Sequence, residues 1–308
     1  MGEDATEEDR LNVLPHLHLH LEPERRKRAQ LGLRNAARHR NSAAAFFASH
    51  DVRNRTRLPV TRDDLGAFIR AIHAEQRREQ VDYAELRLSP RRFLLDGLPL
   101  EEFLHTAHAA MQPLEGPTIR GILLVNRDSD EEFLEQCTAR LGDLPTTFVG
   151  VDLAGDESRH SDITAFRGLF TAARALGLGV TVHAGEFGDL DGIWRALDEL
   201  GAQRLGHALA AARSPALLER LRDDEVLIEV SLSSNLALGA VTSVALHPVR
   251  VFLDAGIPVS FNTDIPMESR STLPGELALA AELLGLTTEE VVAVQREAAR
   301  FVFRTSAC

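Results

Sequence analysis

Cysteine is almost missing from this chain: Cys137 and Cys308 are the only two, and the second is the last of 308 residues. Two distant thiols form no disulfide framework, so a reducing cytoplasm is the expected setting. Lysine is scarcer still, with Lys27 alone among the arginines. Beside abundant alanine this reads as genome-wide composition bias, so arginine clusters carry little functional weight here. No stretch reaches about 18 apolar residues, the length a membrane-spanning helix needs. The opening MGEDATEEDR is acidic where a signal peptide is basic and then apolar. Positive charge is short as well, and the net charge of −12 argues against a general nucleic-acid or anionic-membrane binder. No internal repeat or low-complexity linker interrupts the chain. Its 44% hydrophobic and 26% charged residues are ordinary for a globular protein. The expectation is one domain spanning residues 1–308.

Short apolar runs alternate with longer segments of helical period, the pattern of βα units around a parallel sheet. Candidate strands are Val13–His20, Asp82–Leu88, Ile119–Val125, Phe148–Leu153, Val180–His183, Arg204–Gly206, Val226–Val230 and Pro258–Asn262. Between them lie helix starts in which a hydroxyl precedes acidic first-turn residues. Thr61 before Asp63 and Asp64 opens a helix to about Gln80. Ser129 precedes Asp130, Glu131 and Glu132. Thr288 before Glu289 and Glu290 opens the last helix, to about Phe301. Strands and helices in this alternation predict an α/β fold, the (β/α)₈ TIM barrel. The competing architecture, an open doubly wound sheet, would show a Gly-rich phosphate turn after strand one. Here that strand ends in His-Leu-His-Leu-Glu-Pro instead. The basic segment from Glu22 to about Arg40 reads as a helix with a solvated face; its sharper reading is a lid favouring an anionic substrate group.

Four clusters sit at or just past the C-terminal ends of predicted strands, where barrel enzymes build their sites. His18 and His20, two apart on strand one, point to the same side. His16 shares their parity, so spacing alone does not choose a pair. His183-Ala184-Gly185-Glu186 adds an imidazole and, past a glycine, a carboxylate. His207 ends strand six, and Asp264 follows strand eight in Asn-Thr-Asp. Singly, each has a plain structural explanation: a strand histidine is usually structural, and Asp264 suits a helix cap. Together they are the materials of a His₃Asp metal site with a free acid and a free base, and zinc favours such nitrogen and oxygen donors.

An ordered series of motifs now spans nearly the whole chain: LHLHLE, AELRLSP, VGVDLAGDE, VHAGE, RLGH, SLSSN with HPV, and NTD-P. In this order they resemble the adenosine deaminase family of the amidohydrolase superfamily. The resemblance implies one zinc ion held by His18, His20, His183 and Asp264. It implies that Glu186 protonates a substrate ring nitrogen and that His207 orients and stabilises the attacking hydroxide, with Asp264 or His207 relaying the proton. Glu22 matches a position that meets the ribose end. Ser89, Asp152 and Gly155 fall on substrate-pocket positions, the Gly155 amide as donor to a ring nitrogen. The chemistry is coherent: a zinc-held water ionises near pH 7, and a neutral Glu186 acid requires an apolar, desolvated pocket. The widely separated cysteines exclude the cytidine-deaminase type, whose zinc element contains Pro-Cys-x-x-Cys.

Three departures fall within the resembling motifs. Ile265 stands where the family has a second aspartate meeting purine N7, and Pro23 and Ala208 replace glycines; besides these, the segment after strand one is short. An unpaired buried acceptor costs on the order of 1–3 kcal/mol. Ile265 therefore points away from plain adenosine, towards an aminopurine-like or nucleoside-like small molecule without an acceptor at that edge. The expected activity is hydrolytic deamination with release of ammonia. Competing readings are another zinc-dependent C–N hydrolysis on the same site, or a silent family member that binds without catalysis. Nitrogen-rich donor sets of this kind also accept divalent ions other than zinc.

Overall fold

The structure, a computed structural model, describes residues 13–33, 42–50, 58–112, 115–187 and 189–304. Eight strands lie side by side in chain order: β1 Pro15–His20, β2 Tyr83–Leu88, β3 Thr118–Asn126, β4 Phe148–Ala154, β5 Gly179–Ala184, β6 Arg204–His207, β7 Leu227–Val230 and β8 Val259–Phe261. Every neighbouring pair in this order is parallel, as right-handed helical crossovers require.

Side chains close the barrel where β8 meets β1. Asn262 Oδ1 accepts the amides of Leu17 and His18 at 2.9 and 3.0 Å. Gln295, from the last helix, donates to the carbonyls of Pro15 and Phe261 at 2.6 and 3.0 Å. A backbone bridge then joins Leu19 to Asp264, with His20 N–H donating to Asp264 O at 2.8 Å. The seam thus places Asp264 directly beside the two histidines of β1.

Alternation along the strands sorts the barrel. Leu19, Leu86, Val151, Val182, Ile228 and Phe261 face outward into one apolar cluster shared with the helices. The other parity is charged and fully buried: Arg87 pairs with Asp152 and Glu229, and Arg204 pairs with Glu85 and Glu229. At the N-terminal end Phe303 plugs the barrel, its amide donating to Glu85 at 2.9 Å and its ring 3.6 Å from the Arg204 guanidinium.

Thr61 caps the helix Arg62–Arg78 in a capping box with Asp64. Two expected caps shift by one residue. Asp130, not Ser129, caps Glu131–Arg140, and Thr287, not Thr288, caps Thr288–Glu297 in a capping box with Glu290. Both pairs offer adjacent capping side chains, and the turn geometry selects one. The basic segment forms a helix only over Pro23–Gln30. Its remainder to Arg40 lies outside the described residues beyond Leu33. The helix is not a solvated basic face. Arg25 and Arg26 are buried, Arg25 on Glu268 and Arg26 on Glu75, while Lys27 meets Asp64 at 2.7 Å. Among the described residues no helix is long and apolar enough to cross a membrane.

Candidate active site

The predicted site residues converge at the C-terminal mouth of the barrel. His18 Nε2 and His20 Nε2 stand 3.2 Å apart, and His20 Nε2 lies 3.3 Å from His183 Nε2. Asp264 Oδ1 is 3.3 Å from His18 Nε2 and 3.2 Å from His20 Nε2. His16 is kept out of this group, because a register shift separates it from Leu19. Its Nδ1 meets Gln76 at 2.6 Å, and its Nε2 accepts the Thr263 amide at 3.1 Å. That resolves which histidines of β1 converge.

Four donors about 2.0–2.1 Å from a tetrahedral ion stand roughly 3.3–3.4 Å apart. The separations from His20 to His18, His183 and Asp264, and from His18 to Asp264, fall at that spacing, so this donor set fits a small divalent cation. His207 also belongs to the cluster, since a ligating atom of His18, His183, His207 and Asp264 can be chosen within 4.8 Å of one another. The shorter contacts favour His20 over His207 as the fourth donor. Behind the donors lie acceptors that orient them: Glu229 is 3.0 Å from His18 Nδ1, and Asp152 is 3.1 Å from His183 Nδ1. Ser234 donates to the outer oxygen of Asp264.

Backbone strain accompanies this packing. His207, Ala208 and Asp264 have φ of 68°, 48° and 57°, a left-handed region that costs non-glycine residues about 1–2 kcal/mol each. The turn at Gly185, with φ 73°, carries Glu186 back over the donors. Glu186 is buried, and burial, together with the charges of Asp264 and Glu157, holds its carboxyl well above the usual range. Burial also holds His207 well below its ordinary value, leaving it neutral. Glu186 Oε2 and His207 Nε2 are 3.8 Å apart.

A cavity of about 300 Å³ opens above these groups. Glu22, Ser89, Gly155, Glu186, His207 and Ile265 line it, with Leu124, Ala154, Leu238, Phe46 and Phe47 as apolar wall. Two expected pocket contacts bond within the protein, and one of them leaves the cavity altogether. Asp152 does not line the cavity: it is fully buried, one oxygen on His183 and the other on Arg87 at 3.2 Å. That correction follows from strand parity, which aims Asp152 into the barrel beneath His183. Burial works against ionising it, yet His183 and Arg87 pull its carboxyl down to about 2. Glu22 lines the cavity, but its oxygens accept the amides of Met267 and Glu268 at 2.9 and 3.1 Å. It caps the short helix that starts after Ile265, and burial raises its carboxyl to about 8.

Residues not singled out by sequence complete the site. Asn235 donates to Glu186 Oε1 at 2.9 Å and to His207 Nδ1 at 3.1 Å. Glu157 accepts the amides of Gly185 and Glu186 at 2.7 and 3.0 Å. Glu229 stands alone among apolar residues in LIEV, and Glu85 and Arg87 alternate with apolar residues in AELRL, a signal visible in the sequence.

A fold of eight parallel strands with a histidine–carboxylate cluster at its C-terminal mouth defines an amidohydrolase-type barrel. The adenosine deaminase family model matches residues 21–306, and the chain belongs to that family of hydrolytic deaminases acting on C–N bonds in cyclic amidines. It is 35% identical to the adenosine deaminase of Edwardsiella ictaluri (strain 93-146) over 236 residues, which are 75% of this chain and 70% of that relative. In fold it resembles the adenine deaminase from Arthrobacter aurescens, with TM-score 0.82, 23% identity and 94% of each chain covered. It also resembles a zinc-bound amidohydrolase from Burkholderia ambifaria, with TM-score 0.75 and 19% identity, covering 98% of this chain and 90% of that one.

Proposed function

We propose that this chain, a single barrel domain, is a zinc-dependent deaminase of an aminopurine-like or nucleoside-like small molecule. The observation carrying this reading is the approach of three imidazole nitrogens and Asp264 Oδ1 to 3.2–3.3 Å, beneath a buried Glu186. His18, His20, His183 and Asp264 would hold the cation, which when bound supplies Lewis acidity and hydroxide near neutral pH.

The protein's own groups supply the rest. Glu186, kept neutral by burial, donates its proton to a ring nitrogen and makes the amine-bearing carbon electrophilic. His207 holds the attacking oxygen through Nε2. A proton of the added water, relayed by Asp264, passes to the amine, which leaves as ammonia. Glu22, Ser89 and the Gly155 amide are the proposed polar contacts to substrate, while Asp152 acts from behind by orienting His183. Ile265, with Leu124, Leu238 and the Phe46–Phe47 pair, gives the cavity an apolar wall. A substrate without an acceptor at the Ile265 edge suits that wall better than plain adenosine.

The test is ammonia release by zinc-loaded protein across aminopurine and aminopyrimidine bases and nucleosides, beside a Glu186→Ala control. Release from one compound, abolished in the variant, supports the reading. No release from any, with zinc bound, overturns it in favour of a binding protein or another hydrolysis. Efficient turnover of adenosine itself would overturn the specificity assigned to Ile265.

A further inference from the structure

His247 and Asn235 form a chain of hydrogen bonds whose direction is set outside the cavity. The helix Val249–Asp254 follows Pro248, and its first amide has no intrahelical acceptor. His247 takes that amide: Val249 N–H donates to His247 Nδ1 at 3.2 Å. A backbone N–H can only donate, so Nδ1 is an acceptor and the ring hydrogen of neutral His247 sits on Nε2. Burial favours the neutral ring, lowering it to about 4.

That hydrogen points at Asn235 Oδ1, 3.2 Å away. With its oxygen so engaged, the Asn235 amide presents both hydrogens of Nδ2 to the active site. One meets Glu186 Oε1 at 2.9 Å and the other His207 Nδ1 at 3.1 Å. His247 is 4% exposed and Asn235 0%, so water does not compete for these groups. Each link forces the next.

We propose that His247 and Asn235 are positioning residues that fix the hydrogen-bond polarity of the catalytic pair, making Nδ1 of His207 and Oε1 of Glu186 acceptors. Two consequences follow. Neutral His207 carries its hydrogen on Nε2 and presents a donor, not a base, to the attacking oxygen. The acid proton of Glu186 is left to Oε2, the oxygen 3.8 Å from His207 Nε2. An Asn235 turned through 180° would reverse both assignments without moving a heavy atom appreciably, and His247 prevents it.

The kinetic consequence rests on the deaminase reading, whereas the polarity itself does not. The experiment is therefore two-armed, on zinc-loaded protein. Imidazole ¹H–¹⁵N correlation spectra, assigned with single-histidine variants, report the tautomers of His207 and His247. Both are expected as Nε2–H in the wild type. His247→Phe removes the donor and is expected to give His207 a population protonated at Nδ1, with zinc content unchanged. In the activity arm its kcat falls on the order of 10- to 100-fold. KM stays within about threefold, as expected when transition-state orientation alone is disturbed. His247→Gln keeps an N–H aimed at Asn235 and is expected to restore both the tautomer and most of kcat.

A wild-type His207 protonated at Nδ1 overturns the proposal without any variant having to fold. An unchanged tautomer and kcat in folded His247→Phe overturns it too. Failure of the wild type to release ammonia from any compound removes the activity arm alone, and the spectra still decide the polarity.

Discussion

The carboxylate of Glu157 accepts the backbone amide of Glu186 at 3.0 Å, so one buried acid is held in place by another. The contact does two things. It pins the Gly185–Glu186 turn over the donor cluster, and it sets a negative charge beside Glu186 that favours its neutral form. Glu157→Gln weakens both. An amide group facing two N–H donors leaves one unsatisfied, which costs about 1–3 kcal/mol. Removing the charge lowers the Glu186 value, so the alkaline limb of the kcat profile moves to lower pH. A pH–rate profile with an unmoved alkaline limb would argue that Glu157 acts on the fold alone.

Restoring an acid at Ile265 is the most direct probe of specificity. Ile265→Asp is expected to raise kcat/KM for adenosine roughly 10- to 100-fold, the worth of about 1–3 kcal/mol of recovered hydrogen bonding. Turnover of the preferred substrate should fall in the same variant. If adenosine turnover is unaffected, Ile265 is a wall residue without influence on the ring edge.

Removal of the metal should destabilise the protein as well as silence it. His18, His20, His183 and Asp264 crowd their donors within about one coordination sphere, an arrangement that occurs only in the folded state. At a thousandfold excess over its Kd, a bound cation adds about 4 kcal/mol. Dialysis against a chelator is expected to lower Tm, and added zinc to restore it. A Tm indifferent to both would count against the assigned donor set.

Glu276 predicts a pH dependence of stability. It is fully buried on the helix Leu273–Leu284, accepts the Ser233 amide at 3.3 Å, and burial lifts its carboxyl from 4.5 to about 7. Between these values the folded chain holds a proton that the unfolded chain has lost. Stability from this group is therefore present below about pH 4.5 and declines as pH rises to about 7. In Glu276→Gln that decline disappears, and Tm measured from pH 5 to 8 should show the difference between variant and wild type widening in the variant's favour. A constant difference would mean that Glu276 titrates alike in both states.

Phe303 and Gly179 make a packing prediction at the opposite end of the barrel. A Cβ on Gly179 would lie 2.1 Å from the Phe303 ring. Gly179→Ala is expected to cost at least about 1–3 kcal/mol through overpacking. Gly179→Ala combined with Phe303→Leu should recover part of that loss in chemical denaturation. Full additivity of the two changes would contradict direct contact.

Sequence alone determined the barrel, because alternating apolar strands and amphipathic helices leave few other ways to bury both faces of a parallel sheet. It also put His18, His20, His183, Glu186, His207 and Asp264 at or just past strand ends, where barrel chemistry gathers, and the fold brings these side chains to one mouth of the barrel. What it left open were matters of partner and direction. Whether His16 or its neighbours faced the cluster depended on a register shift in β1 and on Gln76, 60 positions away. That Asp152 supports His183 instead of lining the cavity, and that Glu22 caps Pro266–Ser269, depended on segments adjacent only in space. The basic run after β1 appeared solvated because its acids, Glu75, Asp64 and Glu268, lie on other elements. Local periodicity encodes which way a side chain points. Only closure of the barrel, bringing β8 against β1, decides what that side chain meets.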